Sequence, residues 1–86
     1  MQEIHVYSTT VCPYCVAAKR FLKELGLAFR ETLLDNDPDL RMKLSQEQNG
    51  WRTVPMIFIG KDFVGGFNDL KALHDRGELI PKVNRA

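Results

Sequence analysis

The hydrophobic pattern begins with a short strand and an amphipathic helix. Ile4, Val6 and Tyr7 surround one polar position, which is typical of a strand that ends near residues 8–10. From Ala17 to Leu25 apolar residues recur at helical spacing, with basic and acidic residues between them. A proline at position 13 suits the first turn of a helix and a glycine at position 26 suits its end. We therefore predict a helix over about residues 13–25.

The middle of the chain predicts a second strand and a second helix. Apolar and polar residues alternate from Leu27 to Leu34, which favours a strand. Asp37 is a suitable N-cap and Pro38 a suitable first residue for the helix after it. An Asn-Gly pair at positions 49–50 indicates the end of that helix.

The last third of the chain predicts a hairpin followed by a helix. The most apolar run, residues 54–59, predicts a buried strand, and a turn at residues 60–62 leads into a partner strand. Leu70 and Leu73 then indicate a helix that ends near residue 77, with Asn68 or Asp69 as its cap. The pattern from Glu78 onward is too ambiguous to assign.

The order of these elements is βαβ, then α, then ββα, and it predicts the fold class. A β-α-β unit implies parallel strands joined by a right-handed crossover, and the hairpin adds an antiparallel strand. We predict an α/β protein with a four-stranded mixed sheet flanked by about three helices. The 86 residues contain no linker, repeat or low-complexity segment, so we expect a single domain over residues 1–86.

Composition and charge exclude several classes of protein. The chain has 12 basic and 11 acidic residues and no basic stretch, which argues against a nucleic-acid partner. No apolar run approaches the roughly 18 residues of a membrane-spanning helix, and the first residues do not resemble a signal peptide. We expect a cytoplasmic protein that has neither nucleic acid nor a membrane as its partner.

The chain contains two cysteines, Cys12 and Cys15, and their spacing indicates redox chemistry. A disulfide between them closes a very short loop, so long-range stapling is not its purpose. A structural zinc site usually needs four ligands, and His5 and His74 are not in a paired pattern, so we expect no metal site. Redox chemistry in a reducing compartment fits the pair better.

The position of Cys12 between a strand and a helix assigns roles to the two sulfurs. Free amides and the helix dipole at a helix N-terminus favour a thiolate, which is the nucleophile. Cys15 lies on the same face but deeper in the first turn, so we expect it to be less exposed and to resolve what Cys12 attacks. Two incidental or metal-bound cysteines are the alternative, but a CxxC within a βαβ unit favours a thioredoxin-like redox motif.

Three segments of the chain form a pattern: Cys12-Pro13-Tyr14-Cys15, then Arg52-Thr53-Val54-Pro55 with the apolar run after it, and Gly65-Gly66-Phe67-Asn68-Asp69-Leu70. In this order and spacing they resemble the glutaredoxin family of the dithiol type. The resemblance covers roughly residues 4–79. It implies a thioredoxin-like fold and a glutathione-dependent thiol–disulfide oxidoreductase. Such an enzyme carries electrons to protein disulfides and to glutathione mixed disulfides.

The resemblance also implies a glutathione groove. In that interpretation Pro55 is cis and faces the sulfurs, the Val54 backbone pairs with glutathione as an added strand does, and Asp69 binds its amino group. Arg52 binds a glutathione carboxylate or is a solvated loop charge. The residues implied to contact glutathione are Tyr14, Arg52, Thr53, Val54, Pro55, Gly66, Phe67, Asn68 and Asp69. Glutathione is then a co-substrate of a monomer that holds no tightly bound cofactor.

One departure from the family pattern lies just before the cysteines. Many members have a lysine three residues before the first cysteine, and this chain has Thr9. We expect weaker glutathione affinity or a less acidic thiol, with Arg52 or Lys19 compensating in part. Trp51, beside the groove loop, is either a contact for the protein partner or an edge-packing residue.

Two other functions stay open at this point. Some relatives bridge an iron–sulfur cluster between two protomers through the first cysteine and glutathione, but Pro13 stiffens the loop that has to adapt. A redoxin that receives electrons from a flavoprotein reductase is the other alternative, and residues 65–69 favour glutathione over it.

Overall fold

A computed structural model describes residues 1–85 of the chain, and these residues form four strands and four helices. In chain order the elements are β1 (Ile4–Ser8), α1 (Pro13–Glu24), β2 (Arg30–Leu33), α2 (Pro38–Glu47), β3 (Met56–Ile59), β4 (Asp62–Gly65), α3 (Phe67–Asp75) and α4 (Leu79–Asn84).

The four strands form one mixed sheet in the order β2-β1-β3-β4. β1 is parallel to β2 and antiparallel to β3, and β4 is antiparallel to β3. Val6 in β1 faces Glu31 on one side and Ile57 on the other. The predicted βαβ unit and hairpin are therefore confirmed, and the strand that leads to the cysteines lies inside the sheet.

Helix α1 begins and ends at the predicted signals. Cys12 is its N-cap, with an extended φ of −155°, and Pro13 is its first residue. Leu25 caps the C-terminus, and Gly26 follows with a φ of +71°, a conformation that favours glycine. Helix α2 begins as predicted as well, because the Asp37 side chain accepts a hydrogen bond from a backbone N–H in its first turn.

The core has two parts, one on each face of the sheet. The larger part joins the sheet to α1, α3 and α4 and contains Ile4, Val6, Ala18, Leu22, Ile57, Ile59, Leu70, Leu79 and Val83. The smaller part lies under α2 and contains Leu34, Leu44 and Met56. Strand β3 supplies Ile57 to one part and Met56 to the other, because successive side chains of a strand point to opposite faces. This confirms that β3 is buried on both sides.

Strand β2 and helix α3 differ from the prediction at their first residues. Strand β2 starts at Arg30 rather than near Leu27, because the Leu27 N–H donates to the Leu22 carbonyl and so completes the end of α1. Helix α3 is capped by Gly66 and not by Asn68 or Asp69. Strand β3 likewise begins at Met56, two residues later than the apolar run.

A fourth helix forms where the sequence pattern was too ambiguous to assign. Helix α4 spans six residues, and its Leu79 and Val83 are 0% and 1% exposed. Its position is fixed by these contacts and by the Gln2 N–H, which donates to the Val83 carbonyl. The flanking helices therefore number four in the described residues rather than about three. None of the helices in residues 1–85 has the length and apolar character needed to cross a bilayer.

We predict that replacing Leu22 with alanine lowers the free energy of unfolding by about 2–5 kcal/mol, because a large buried side chain leaves a cavity. Leu22 is 0% exposed at the centre of the larger core. Leu33→Ala is the control, since Leu33 is 53% exposed on β2, and it should cost less than about 1 kcal/mol. Urea denaturation measures both values. Equal losses for the two variants would contradict the placement of this core.

Candidate active site

The two cysteines lie at the N-terminus of α1 and are joined as a disulfide. Their Cα atoms are 5.2 Å apart. Cys15 is only 1% exposed, whereas Cys12 is half-buried, which confirms the predicted difference in exposure. The Cys15 N–H donates a hydrogen bond to Cys12 Sγ at 3.1 Å. The more accessible sulfur is therefore the one that accepts from the amides at the start of the helix.

The loop before β3 forms the wall opposite Cys12. The Val54–Pro55 peptide bond is cis, as the resemblance implied. The Val54 carbonyl oxygen lies 3.7 Å from Cys12 Sγ, and Pro55 is fully buried behind it. This loop is thus close enough to hold a molecule whose sulfur reaches Cys12.

A groove of about 300 Å³ runs from this loop to the start of α3. It is lined by Tyr14, Trp51, Thr53, Val54, Pro55, Gly66, Phe67, Asn68 and Asp69. All of the residues predicted to contact glutathione line this groove except Arg52. The structure therefore brings together residues from α1, the loop before β3 and α3 that are far apart in sequence.

One end of the groove combines a helix N-terminus with a carboxylate. The Gly66 N–H donates to Asp69 Oδ2 at 2.9 Å, which completes the first turn of α3. The amides at the start of a helix attract a carboxylate, and the exposed Asp69 carboxylate can bind an ammonium group. This end of the groove therefore suits the α-amino acid part of a ligand.

Trp51 separates the groove from a second depression, whose other lining residues are Pro38, Arg41, Met42, Ser45, Gln46 and Arg52. Its ring packs edge-on against Phe63, with centroids 5.2 Å apart, and its Nε1 is buried without a hydrogen-bond partner in residues 1–85. Trp51 lines both the groove and the second depression. It is therefore an edge-packing residue and a wall of the site at once.

The two cations expected to compensate for Thr9 do not line the groove. Arg52 lies in the second depression, on the side of α2. Lys19 is held by Glu31, with Nζ 2.7 Å from Oε2. Lys19 is therefore already engaged by Glu31, and the binding of a glutathione carboxylate by Arg52 stays a prediction.

A polar cluster of Ser8, Glu31 and Lys19 ties β1, β2 and α1 together. Ser8 is 0% exposed at the end of β1, and its hydroxyl donates to Glu31 Oε2 at 2.5 Å. The hydrogen bond from Lys19 lowers the pKa of Glu31, and the hydrogen bond from Ser8 lowers it further. The cluster fixes the end of the strand from which the cysteine loop departs.

A larger depression of about 540 Å³ lies between β4, α3 and α4, away from the cysteines. Asp69 is the one residue that it shares with the groove. Its Lys82 is paired with Asp62, and its Arg76 with Glu78. In residues 1–85 no group of three or more histidine, cysteine, aspartate or glutamate side chains is arranged to hold a metal ion.

A four-stranded mixed sheet with a cysteine pair at the start of its first helix defines a thiol–disulfide oxidoreductase of the thioredoxin fold. The glutaredoxin family model matches residues 4–64. Over 79 residues the chain is 43% identical to a glutaredoxin of Pseudomonas aeruginosa, covering 92% of this chain and 93% of that protein. The chain belongs to the glutaredoxin family.

Solved structures agree with this assignment. The buckwheat glutaredoxin–glutathione complex has a TM-score of 0.87 at 33% identity and covers 95% of this chain and 76% of that one. The solution structure of a Brucella melitensis glutaredoxin has a TM-score of 0.85 at 39% identity, with coverages of 100% and 95%.

We predict that Glu31→Gln destabilises the protein in a pH-dependent way. A carboxyl whose pKa is lowered by folding contributes stability above its ordinary value of 4.5, and this contribution disappears as the pH falls through the lowered value. Glu31→Gln should therefore cost about 1 kcal/mol at pH 7 and progressively less in acid. Denaturation at a series of pH values measures this.

Glu47→Gln is the matched control, because Glu47 is exposed and forms no ion pair in the described residues. Its effect on stability should be small at every pH. A cost of Glu31→Gln that stays the same from neutral to acid pH would show that the charge of Glu31 has no role in the cluster.

Proposed function

We propose that the enzyme uses glutathione as its co-substrate and reduces glutathione mixed disulfides and protein disulfides. The observation that carries this proposal is the position of Cys12 Sγ, which accepts the Cys15 N–H at 3.1 Å and lies 3.7 Å from the Val54 carbonyl oxygen. A sulfur so placed is both activated and next to the groove. The relative from buckwheat was solved as a glutathione complex, which supports glutathione as the molecule in this groove.

The first proposed reaction removes glutathione from a protein. The Cys12 thiolate attacks the glutathionyl sulfur of the mixed disulfide, and the protein sulfur leaves as a thiolate that takes a proton from water. A second glutathione, as its thiolate, then attacks the glutathionyl sulfur on Cys12. Oxidised glutathione leaves, and Cys12 returns as a thiolate that the start of α1 stabilises.

The groove orients glutathione for these steps. The backbone groups of Val54 pair with the cysteinyl part of glutathione in the manner of an added strand. The start of α3 binds the γ-glutamyl carboxylate, and Asp69 binds the neighbouring ammonium group. These contacts place the glutathionyl sulfur in line with Cys12, and the protein part of the substrate stays outside the groove.

The second proposed reaction uses both cysteines. Cys12 attacks a protein disulfide and forms a mixed disulfide with one of its sulfurs, while the other sulfur leaves as a thiolate. Cys15 then attacks Cys12 Sγ, which releases the reduced protein and forms the Cys12–Cys15 disulfide. Two glutathione molecules reduce this disulfide and leave as oxidised glutathione.

This chemistry also determines the setting in which the enzyme can work. A reductant of disulfides requires a compartment in which thiols stay reduced, and we therefore propose the cytoplasm. We further propose a monomer that has no tightly bound cofactor and acts on glutathionylated or disulfide-containing proteins, since each step above needs one copy of the chain and glutathione alone.

We predict that the two cysteines separate the reactions. Cys12→Ser should abolish turnover of both glutathionylated and disulfide substrates. Cys15→Ser should keep the removal of glutathione, which needs only Cys12, and should lose the reduction of protein disulfides. Assays with a glutathionylated peptide and a disulfide-bonded protein measure this. Activity that survives in Cys12→Ser would refute the assigned nucleophile.

We predict that Gly66→Ala impairs glutathione binding more than folding. A Cβ at this position would meet the Pro55 carbonyl oxygen at 3.7 Å and Trp51 Cζ2 at 3.8 Å, which are ordinary contacts, so the fold tolerates it. The same methyl group occupies the groove and should raise the KM for a glutathione mixed disulfide about tenfold or more.

Gly77→Ala is the control for a change at glycine. Gly77 has a φ of +74° with nothing within 4 Å of a Cβ there, so this variant should lose stability and keep its KM. An unchanged KM in Gly66→Ala would show that glutathione does not lie against this residue.

A further inference from the structure

The second depression, on the far side of Trp51, is a surface that the reactions above do not use. It measures about 300 Å³ and is lined by Pro38, Arg41, Met42, Ser45, Gln46, Trp51 and Arg52. Trp51 also lines the glutathione groove, so the two surfaces are continuous. Within residues 1–85 no acidic residue lines the depression.

The depression carries two arginines that form no ion pair in the described residues. Arg41 Nη2 donates to the Arg52 carbonyl oxygen at 3.2 Å, which joins α2 to the loop before β3 at this depression. Both side chains are exposed, and neither forms an ion pair within residues 1–85. The whole chain has a net charge of only +1, so this is a local concentration of positive charge.

An apolar platform lies beside these cations. Met42 is 63% exposed on α2, so its side chain is available to a binding partner. Pro38 is exposed in the same depression, and the Trp51 ring forms its wall. Methionine adapts its shape to different partners and is common at surfaces that bind more than one of them.

We infer that this depression binds an acidic segment with an apolar side chain, next to the glutathionylated cysteine of the protein substrate. The inference rests on the proposed function, because glutathione in the groove is what brings the substrate protein to the surface beside Trp51. The unpaired arginines attract the carboxylates of the segment, and Met42 and Pro38 contact its apolar side chain. The depression thus selects among protein substrates, while the groove recognises the glutathione that all of them share.

The expected preference for acidic substrates is modest and depends on salt, because both arginines are exposed. Ion pairs at an exposed rim contribute little individually and act mainly on the rate of association. We therefore expect about a fivefold preference in kcat/KM for an acidic over a neutral substrate. The preference should decline as salt is raised, since exposed charges are screened.

The experiment uses two glutathionylated peptides with the unaltered enzyme. One has glutamates and a leucine flanking its cysteine, and the other has glutamines in place of the glutamates. A small glutathione mixed disulfide without a peptide measures the basal reaction. The variants are Arg41→Gln and Met42→Gln, and Lys43→Gln is the matched control, since it removes the same charge from an exposed position of α2 outside the depression.

Arg41→Gln should abolish the preference for the acidic peptide and leave the basal reaction unchanged. Met42→Gln should lower kcat/KM for both peptides but not for the small disulfide, and Lys43→Gln should retain the preference. Equal kcat/KM for the two peptides in the unaltered enzyme would overturn the inference. So would an Arg41→Gln variant with a raised KM for the small disulfide, because this arginine would then bind glutathione itself. If the unaltered enzyme turned over none of the three substrates, the proposed function would fail, and this inference with it.

Discussion

The proposed chemistry depends on a single contact at the N-terminus of α1, where the Cys15 N–H donates to Cys12 Sγ at 3.1 Å. The first amides of any helix lack partners within the helix and need an acceptor from outside it. Cys12 supplies that acceptor because it is the N-cap, so the same position ends the loop, starts the helix and orients the sulfur. A negative charge on this sulfur strengthens the contact. The requirement of the helix and the requirement of the chemistry are therefore met by one atom.

The sheet brings the other parts of the site to this sulfur. Strand β1 ends at Ser8, β3 begins at Met56 and β4 ends at Gly65, and the antiparallel pairing of β3 with β1 and β4 places all three points at one end of the sheet. The cysteine loop, the cis Val54–Pro55 loop and the start of α3 leave the sheet at this end. A rigid central sheet thus holds three irregular segments against one another, which is how a small protein builds a groove with defined walls.

Signals in the local sequence were sufficient to predict the helices that begin or end at a proline, a glycine or a capping aspartate. Helix α1 begins at Pro13 and ends before Gly26, and Asp37 is the N-cap of α2, as the sequence predicted. The start of β2 could not be located, because the apolar Leu27 serves the end of α1 instead of a strand. Helix α4 carries no local signal, since its six residues include a proline and gain their position from the burial of their apolar side chains in the core.

The site followed the same division between local and tertiary information. The CxxC pattern and its place before a helix identify the two cysteines from sequence alone. Arg52 is adjacent to groove residues in sequence, yet it lines the second depression and not the groove, and its carbonyl oxygen accepts a hydrogen bond from Arg41 of α2. The ion pair of Lys19 could not be predicted from sequence either, since Lys19 is on α1 and its partner Glu31 is on β2.

The most direct test of this account is the pH dependence of Cys12 alkylation in the reduced Cys15→Ser variant. The thiolate is the reactive form, so the rate of reaction with iodoacetamide reports how readily Cys12 loses its proton. If the amides of α1 stabilise that charge, the rate should reach half its maximum at least about one pH unit below the value of about 8.5 that is typical of a free cysteine. A midpoint at the free-cysteine value would contradict the central claim.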